Sequence, residues 1–157
     1  MFRVFRGRRI AVVVPAYNEA DKIARTIRSV PGFVDHVIVV DDASTDGTGR
    51  LAQRSQRRGL EVLAHRENRG VGAAIETGYA RAFALHAEVT AVMAGDSQMD
   101  PADLGTLVAA VVSGQADYAK GNRFLWPGGW RVMPPSRLLG NVVLSFLTRL
   151  ASGYRQG

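Results

Sequence analysis

Cysteine is absent from the 157 residues, which removes disulfides, zinc–thiolate centres and thiol nucleophiles from consideration. Lysine is nearly absent too. Only Lys22 and Lys120 occur, so the formal charge of +6 is carried almost wholly by arginine. No apolar run approaches the roughly 20 residues that span a bilayer. The stretch Met1 to Arg9 carries four arginines and no apolar segment of signal-peptide length. Low-complexity tracts are lacking, and 46% of the residues are apolar, enough for one domain with a sizeable core. The basic clusters Arg3-Arg6-Arg8-Arg9 and Arg54-Arg57-Arg58 are not interleaved with base-stacking aromatics. Nucleic acid is therefore not an expected partner. These clusters read as solvated surface, with attraction to an anionic membrane face second. The expectation is a cytoplasmic domain with, at most, peripheral contact at the inner membrane face.

What is present is a regular alternation. Ile10 to Pro15 is a continuous apolar strand, followed by Asn18 as expected helix cap, by Ile23, Ile27 and Val30 at helical spacing, and by the breaker Pro31-Gly32. His36 to Val40 forms a second strand ending in Asp41-Asp42. A turn, Ala43 to Gly47, leads to a helix expected over 48–58. Gly59 stops it, and Leu60 to Ala64 makes a third strand. Asn68-Arg69-Gly70-Val71-Gly72 opens a long helix to about His86, with Val71, Ile75, Tyr79 and Phe83 as expected core face. Val89 to Met93 is a fourth strand. Asp100 as cap and Pro101 in the first turn then start a helix burying Leu104, Leu107, Val108 and Val111. Ala116 to Lys120 reads as a fifth strand.

Strands alternating with helices imply an α/β fold, an open and mostly parallel sheet with helices on both faces. Right-handed crossovers place every strand's carboxyl end along one edge, where ligands bind in such sheets. Those ends carry Tyr17 to Glu19, Asp41-Asp42, Asn68 to Gly72, Asp96 to Gln98 and Asn122-Arg123, so nearly all the unusual polar residues converge on one crevice. Asp96 and Gln98 point the same way if their backbone stays extended, giving the hard oxygen pair that Mg²⁺ or Mn²⁺ accepts when phosphates and water complete the shell. Gly70-x-Gly72 lacks the third glycine of a dinucleotide fingerprint, with Ile75 in its place, and no phosphate-loop Gly-Lys-Ser/Thr occurs. The third strand ends Ala64-His65-Arg66, without the aspartate of a phospho-receiver, which leaves the acidic pair Asp41-Asp42 either to begin a turn or, as the favoured reading, to accept from a nucleobase N–H or ribose hydroxyls of a nucleotide donor. His36, His65 and His86 are scattered and read as structural.

Five motifs stand in one order: Pro15-Ala16-Tyr17-Asn18-Glu19, Val39 to Thr48 with its Asp41-Asp42, Asn68 to Ala74, Gly95-Asp96-Ser97-Gln98-Met99-Asp100-Pro101, and Gly121-Asn122-Arg123. In that order they resemble family 2 glycosyltransferases, most closely the branch of dolichyl- and polyprenyl-phosphate sugar transferases. The resemblance runs from Arg9 onward and implies a GT-A, Rossmann-like fold that binds a nucleotide-diphosphate sugar. It implies that Pro15, Tyr17, Glu19 and Asp42, with Ala16, Asp41, Gly70 and Gly95 beside them, form the donor site. Asp96 and Gln98 would hold Mg²⁺ or Mn²⁺ on the diphosphate. Asp96 and Arg123 would act in catalysis, and Arg137 would face donor or acceptor phosphates. Where the family has Asp-x-Asp, this chain has Ala94-Gly95-Asp96, so the first carboxylate is missing.

The chain reads as a single catalytic domain over 1–157: a nucleotide-sugar core over 9–123, an acceptor-side loop over 124–137 and an amphipathic helix over 138–153. The apolar face of that helix suits a membrane surface, a second copy in a homodimer, or the core. The sequence ends before the Asp-x-Gln-x-Gly segment that the family usually presents, and so resembles a shortened catalytic domain. The expected activity is metal-dependent, inverting transfer of a sugar from a nucleotide donor to a polyprenyl phosphate or similar glycosyl acceptor. Two alternatives stand beside it. A nucleotidyltransferase would show a glycine-rich basic loop after the first strand, where this chain has Ala16-Tyr17-Asn18-Glu19. A non-catalytic nucleotide-sugar-binding module would tolerate Ala94.

Overall fold

In the computed structural model, which describes residue 5, residues 7–97 and residues 99–121, strands and helices alternate along the chain. They are β1 (Ile10–Ala16), α1 (Ala20–Ser29), β2 (His36–Asp41), α2 (Thr48–Gln53), β3 (Leu60–Ala64), α3 (Gly70–Ala84), β4 (Val89–Val92) and α4 (Pro101–Val112). All belong to one compact unit, Met1–Ala119; a second begins at Lys120. The strands pair in parallel in the order β3-β2-β1-β4. A strand buried on both sides needs apolar residues at every position, which is why β1 reads as a continuous run. Ile10, Val12, Val14 and Ala16 pack with Ile23 and Ile27 of α1 and with Leu104 and Val108 of α4. Ala11 and Val13 pack on the other face with Ala74 and Ala82 of α3.

α3 corrects the expected core face. Its buried residues are Ala74, Gly78 and Ala82, while Val71, Tyr79 and Phe83 stand 66%, 45% and 84% exposed. Both stripes share a spacing of four. The small one faces the sheet because the helix lies so close to β1 that a Cβ on Gly78 would meet Val13 Cγ1 at 2.2 Å. Val13 is fully buried and β-branched, so it has little room to give. Gly78→Ala is therefore expected to destabilise the fold by about 1–3 kcal/mol despite alanine's better helix propensity. Urea denaturation measures this.

Asn18 is not the cap of α1. It takes a left-handed φ of 54°, and its side chain accepts from the Thr45 N–H at 2.9 Å instead. The α1 amino end is satisfied from the neighbouring β2–α2 loop: the Glu19 N–H donates to Thr48 Oγ1 at 2.8 Å and the Ala20 N–H to Asp46 Oδ2 at 3.0 Å. α2 ends at Gln53 rather than 58. The residues after it are polar, and Arg57 turns back to donate to the carbonyls of Val30 and Pro31 at 2.6 and 3.0 Å, covering the exit of α1. Asp100 caps α4 as expected, accepting from the Ala102 N–H at 2.9 Å. No strand forms over 116–120. Tyr118 there is 77% exposed, and none of the described strands pairs with the segment, so it has no ladder to join.

Candidate functional site

The strand order reverses beside β1: β2 and β3 lie on one side, and β4 lies on the other. At such a switch point the loops leaving neighbouring strands diverge to opposite faces and open a cleft. A cavity of about 340 Å³ lies there, lined by Pro15, Ala16, Tyr17, Glu19, Asp42, Asn68, Gly70, Val71, Ala74, Ala94, Gly95 and Asp96. Pro15, Ala16, Tyr17, Glu19, Asp42, Gly70, Gly95 and Asp96, all singled out from the sequence, thus share one cavity. Asn68, Val71 and Ala74 of the third motif join them because α3 begins on this edge, and Val71, expected in the helix's core face, lines the cavity instead.

Each side chain has an identifiable mount. Tyr17 leaves the end of β1 and is 49% exposed at the mouth. Glu19 pairs with Lys22 at 3.0 Å. That hydrogen bond and the Glu19 charge raise the lysine's pKa, and the nearby Asp96 charge adds to the same effect. Asp42 is 3% exposed and firmly held. Its Oδ1 accepts from the Arg69 N–H at 2.9 Å and from His65 Nδ1 at 2.7 Å, and its Oδ2 from the Gly70 N–H at 2.7 Å. Burial pushes the Asp42 carboxyl up, but these bonds outweigh it and hold the group below the usual carboxylate range. Asp42 thus caps α3 from a different strand. His65 Nε2 also meets the Thr77 hydroxyl at 3.0 Å, which ties β3 to α3. His65 is structural, as its sequence position suggests.

Asp41 is not in the cavity. Alternation turns it to the other side of the sheet, where it accepts the Ser44 N–H at 3.1 Å and where a Cβ on Gly49 would touch its Oδ2 at 2.2 Å. The backbone around Asp96 is not extended either. Gly95 and Asp96 form a turn and Ser97 has φ 58°, so the period-two argument that paired Asp96 with Gln98 does not apply. Gln98, Arg123, Arg137, the 124–137 loop and the 138–153 helix lie outside the described residues.

Among the described residues no group of three or more His, Cys, Asp or Glu side chains could hold a metal ion by itself. Asp96, half-buried on the cavity wall, offers one hard oxygen ligand group. That donor set fits a cation taking most of its ligands from a phosphate-bearing ligand and water, the habit of Mg²⁺ and Mn²⁺ at nucleotide sites. No helix among the described residues is long and apolar enough to cross a membrane.

The profile described as "Glycosyl transferase family 2" matches residues 11–155. A UDP-N-acetylglucosamine–dolichyl-phosphate N-acetylglucosaminyltransferase of Methanococcus voltae is 29% identical over 92% of this chain and 64% of its own length. A polyprenol monophosphomannose synthase of Mycolicibacterium smegmatis is 31% identical over 92% of this chain and 56% of its own. The chain thus spans about 60% of the length of these curated relatives. Among solved structures, glucosyl-3-phosphoglycerate synthase of Mycobacterium tuberculosis in complex with Mn²⁺, UDP-glucose and phosphoglyceric acid superposes with a TM-score of 0.57 at 29% identity, over 70% of this chain and 42% of that one.

Proposed function

This chain belongs to glycosyl transferase family 2, and from that premise we propose that it binds a nucleotide-diphosphate sugar in the β1/β4 cleft and passes the sugar, with inversion, to a polyprenyl phosphate or similar acceptor. Its sheet and helices have the GT-A arrangement. The observation that carries the reading is the convergence of Tyr17, Glu19, Asp42 and Asp96 on one cavity at the switch point. Dolichyl phosphate and polyprenol monophosphomannose appear in the names of the relatives.

The roles follow from the mounts. The half-exposed Tyr17 ring offers a stacking face for a base. A carboxylate has about four lone-pair sites. Asp42 uses three of its own within the protein, leaving one to accept a nucleobase N–H or a ribose hydroxyl. The amino end of α3, at Gly70 and Val71, lines the same cavity beside Asp42. Asp96, with Gln98, would hold Mg²⁺ or Mn²⁺, and when bound the cation neutralises charge building on the departing diphosphate. Arg123 and Arg137 would meet the remaining phosphate oxygens through planar, bidentate contacts. In transfer, an acceptor phosphate oxygen attacks the anomeric carbon while the bond from that carbon to the diphosphate breaks and its electron pair leaves with the nucleoside diphosphate. Attack opposite the leaving group inverts the centre. The acceptor oxygen is already anionic, so no side chain need remove a proton.

A thermal-shift panel of UDP and GDP, each with Mn²⁺, Mg²⁺ or EDTA, tests the donor site first. A nucleotide at about a hundred times its Kd stabilises by about 2.7 kcal/mol, which for a chain of this size raises Tm by roughly 5–10 °C. That gain is expected with cation and not with EDTA. Labelled sugar transfer to dolichyl phosphate tests turnover, on this chain and on one extended at its carboxyl end. Donor binding without transfer by either chain would favour a non-catalytic binding module instead.

A further inference from the structure

Thr26 is the one polar residue on the buried face of α1, 1% exposed between the fully buried Ile23 and Ile27. A valine would fill that space, so the hydroxyl needs a reason. Both of its bonds reach across to the turn between β4 and α4. Thr26 Oγ1 donates to the Gly95 carbonyl at 3.0 Å and meets Ser97 Oγ at 2.7 Å. Since its single proton goes to Gly95, Ser97 is the donor in the second bond. The two contacts therefore bracket Asp96 on either side along the chain.

The turn is fixed from the other direction as well. The Gly95 N–H donates to the Pro15 carbonyl at 3.3 Å, and a Cβ on Gly95 would come within 3.2 Å of that same oxygen. Ser97 sits at φ 58°, a left-handed conformation that non-glycine residues seldom adopt unless surrounding contacts hold them there. The Thr26 contact is such a hold.

We propose that Thr26, through Gly95 and Ser97, is a positioning residue that fixes the Asp96 carboxylate for its divalent cation; this rests on the cation role proposed above for Asp96. Thr26 touches neither ion nor nucleotide. It removes the backbone freedom that would let the carboxylate swing away, so its loss lowers the cation-dependent share of nucleotide affinity and spares the rest.

The test compares wild type, Thr26→Val, Thr26→Ser and Ser97→Ala by calorimetry with UDP, in Mn²⁺ and in EDTA, with a thermal melt of each. The readout is the ratio of the two affinities, which a general loss of stability does not change. Wild type is expected to gain affinity with Mn²⁺. Thr26→Val is expected to lose about tenfold of that gain, the range for groups that orient a metal ligand. Ser97→Ala should lose part of it, and Thr26→Ser, which keeps the hydroxyl, should restore it. Affinity in EDTA should be the same for all four. Should Thr26→Val not fold, Ser97→Ala on its half-buried turn decides the matter. A full Mn²⁺ gain in Ser97→Ala and in any folded Thr26→Val overturns the positioning role and leaves the cation site standing. No Mn²⁺ gain in wild type overturns the cation reading and this inference together.

Discussion

Asp96→Ala is expected to abolish the Mn²⁺-dependent component of UDP binding, a loss of roughly a hundredfold or more, since groups that only orient a metal ligand already account for about 10–100-fold. The size of the effect follows from how little else is available. Among the described residues no group of three or more His, Cys, Asp or Glu side chains could hold a metal ion by itself, Asp42 is occupied by three hydrogen bonds and Glu19 pairs with Lys22, and Ala94 stands where the resemblance places a first carboxylate. A chain with two acidic ligands could keep part of its cation affinity after losing one. Here Asp96 is the acidic group on the β4 side of the cleft, so the cation would be left to Gln98, water and the diphosphate. Calorimetry in Mn²⁺ and in EDTA separates the two contributions. Unchanged affinity in Mn²⁺ would remove Asp96 from the proposed site. Stability should move little, because the carboxylate is half-buried on a turn and fills no core space.

The strands and the gathering of the site were legible for one reason. A parallel sheet puts every carboxyl end on the same edge, so reading Ile10 to Pro15, His36 to Val40, Leu60 to Ala64 and Val89 to Met93 as strands brings Tyr17, Asp42, Gly70 and Asp96 together without further information. Illegible were the features set by contacts between elements. The face of α3 could not be chosen from spacing, since large and small stripes repeat alike; the close approach of Gly78 to Val13 selects the small one. Asn18 has a capping residue's chemistry, yet Thr48 and Asp46, nearly thirty positions away, do the capping. The segment 116–120 reads as a strand, but pairing depends on a neighbour that its own residues do not specify. Thr26 was the exception that a closer reading could have found: a lone hydroxyl in the stripe Ile23, Thr26, Ile27, Val30 already signals a polar partner elsewhere.

Asp42→Asn is expected to destabilise the fold by about 3 kcal/mol, a large share of the roughly 5–15 kcal/mol that a domain has. Three donors converge on this buried carboxylate: two backbone amides at the start of α3, and His65. An asparagine accepts through one atom and donates through the other, so at least one of these part-buried N–H groups would face another donor. The pH dependence carries the same information. The folded Asp42 carboxyl lies below its ordinary value of 3.8. Above that value both the folded and the unfolded chain are ionised, and the full contribution is present. As pH falls past it, the unfolded chain takes up the proton first. Stability then declines until the folded carboxyl is protonated as well. The loss therefore lies on the acid side, below about pH 4, and Asp42→Asn should flatten the acid limb of a urea-denaturation series there. The substitution should also weaken UDP binding in EDTA as well as in Mn²⁺, because it loosens the start of α3 and the loop carrying Asn68, both of which line the cavity. That pattern is the opposite of the one expected for Asp96→Ala. A variant that kept wild-type stability at neutral pH would mean that Asp42 contributes nothing net through its three bonds, and the anchoring argument for this side of the cleft would fall.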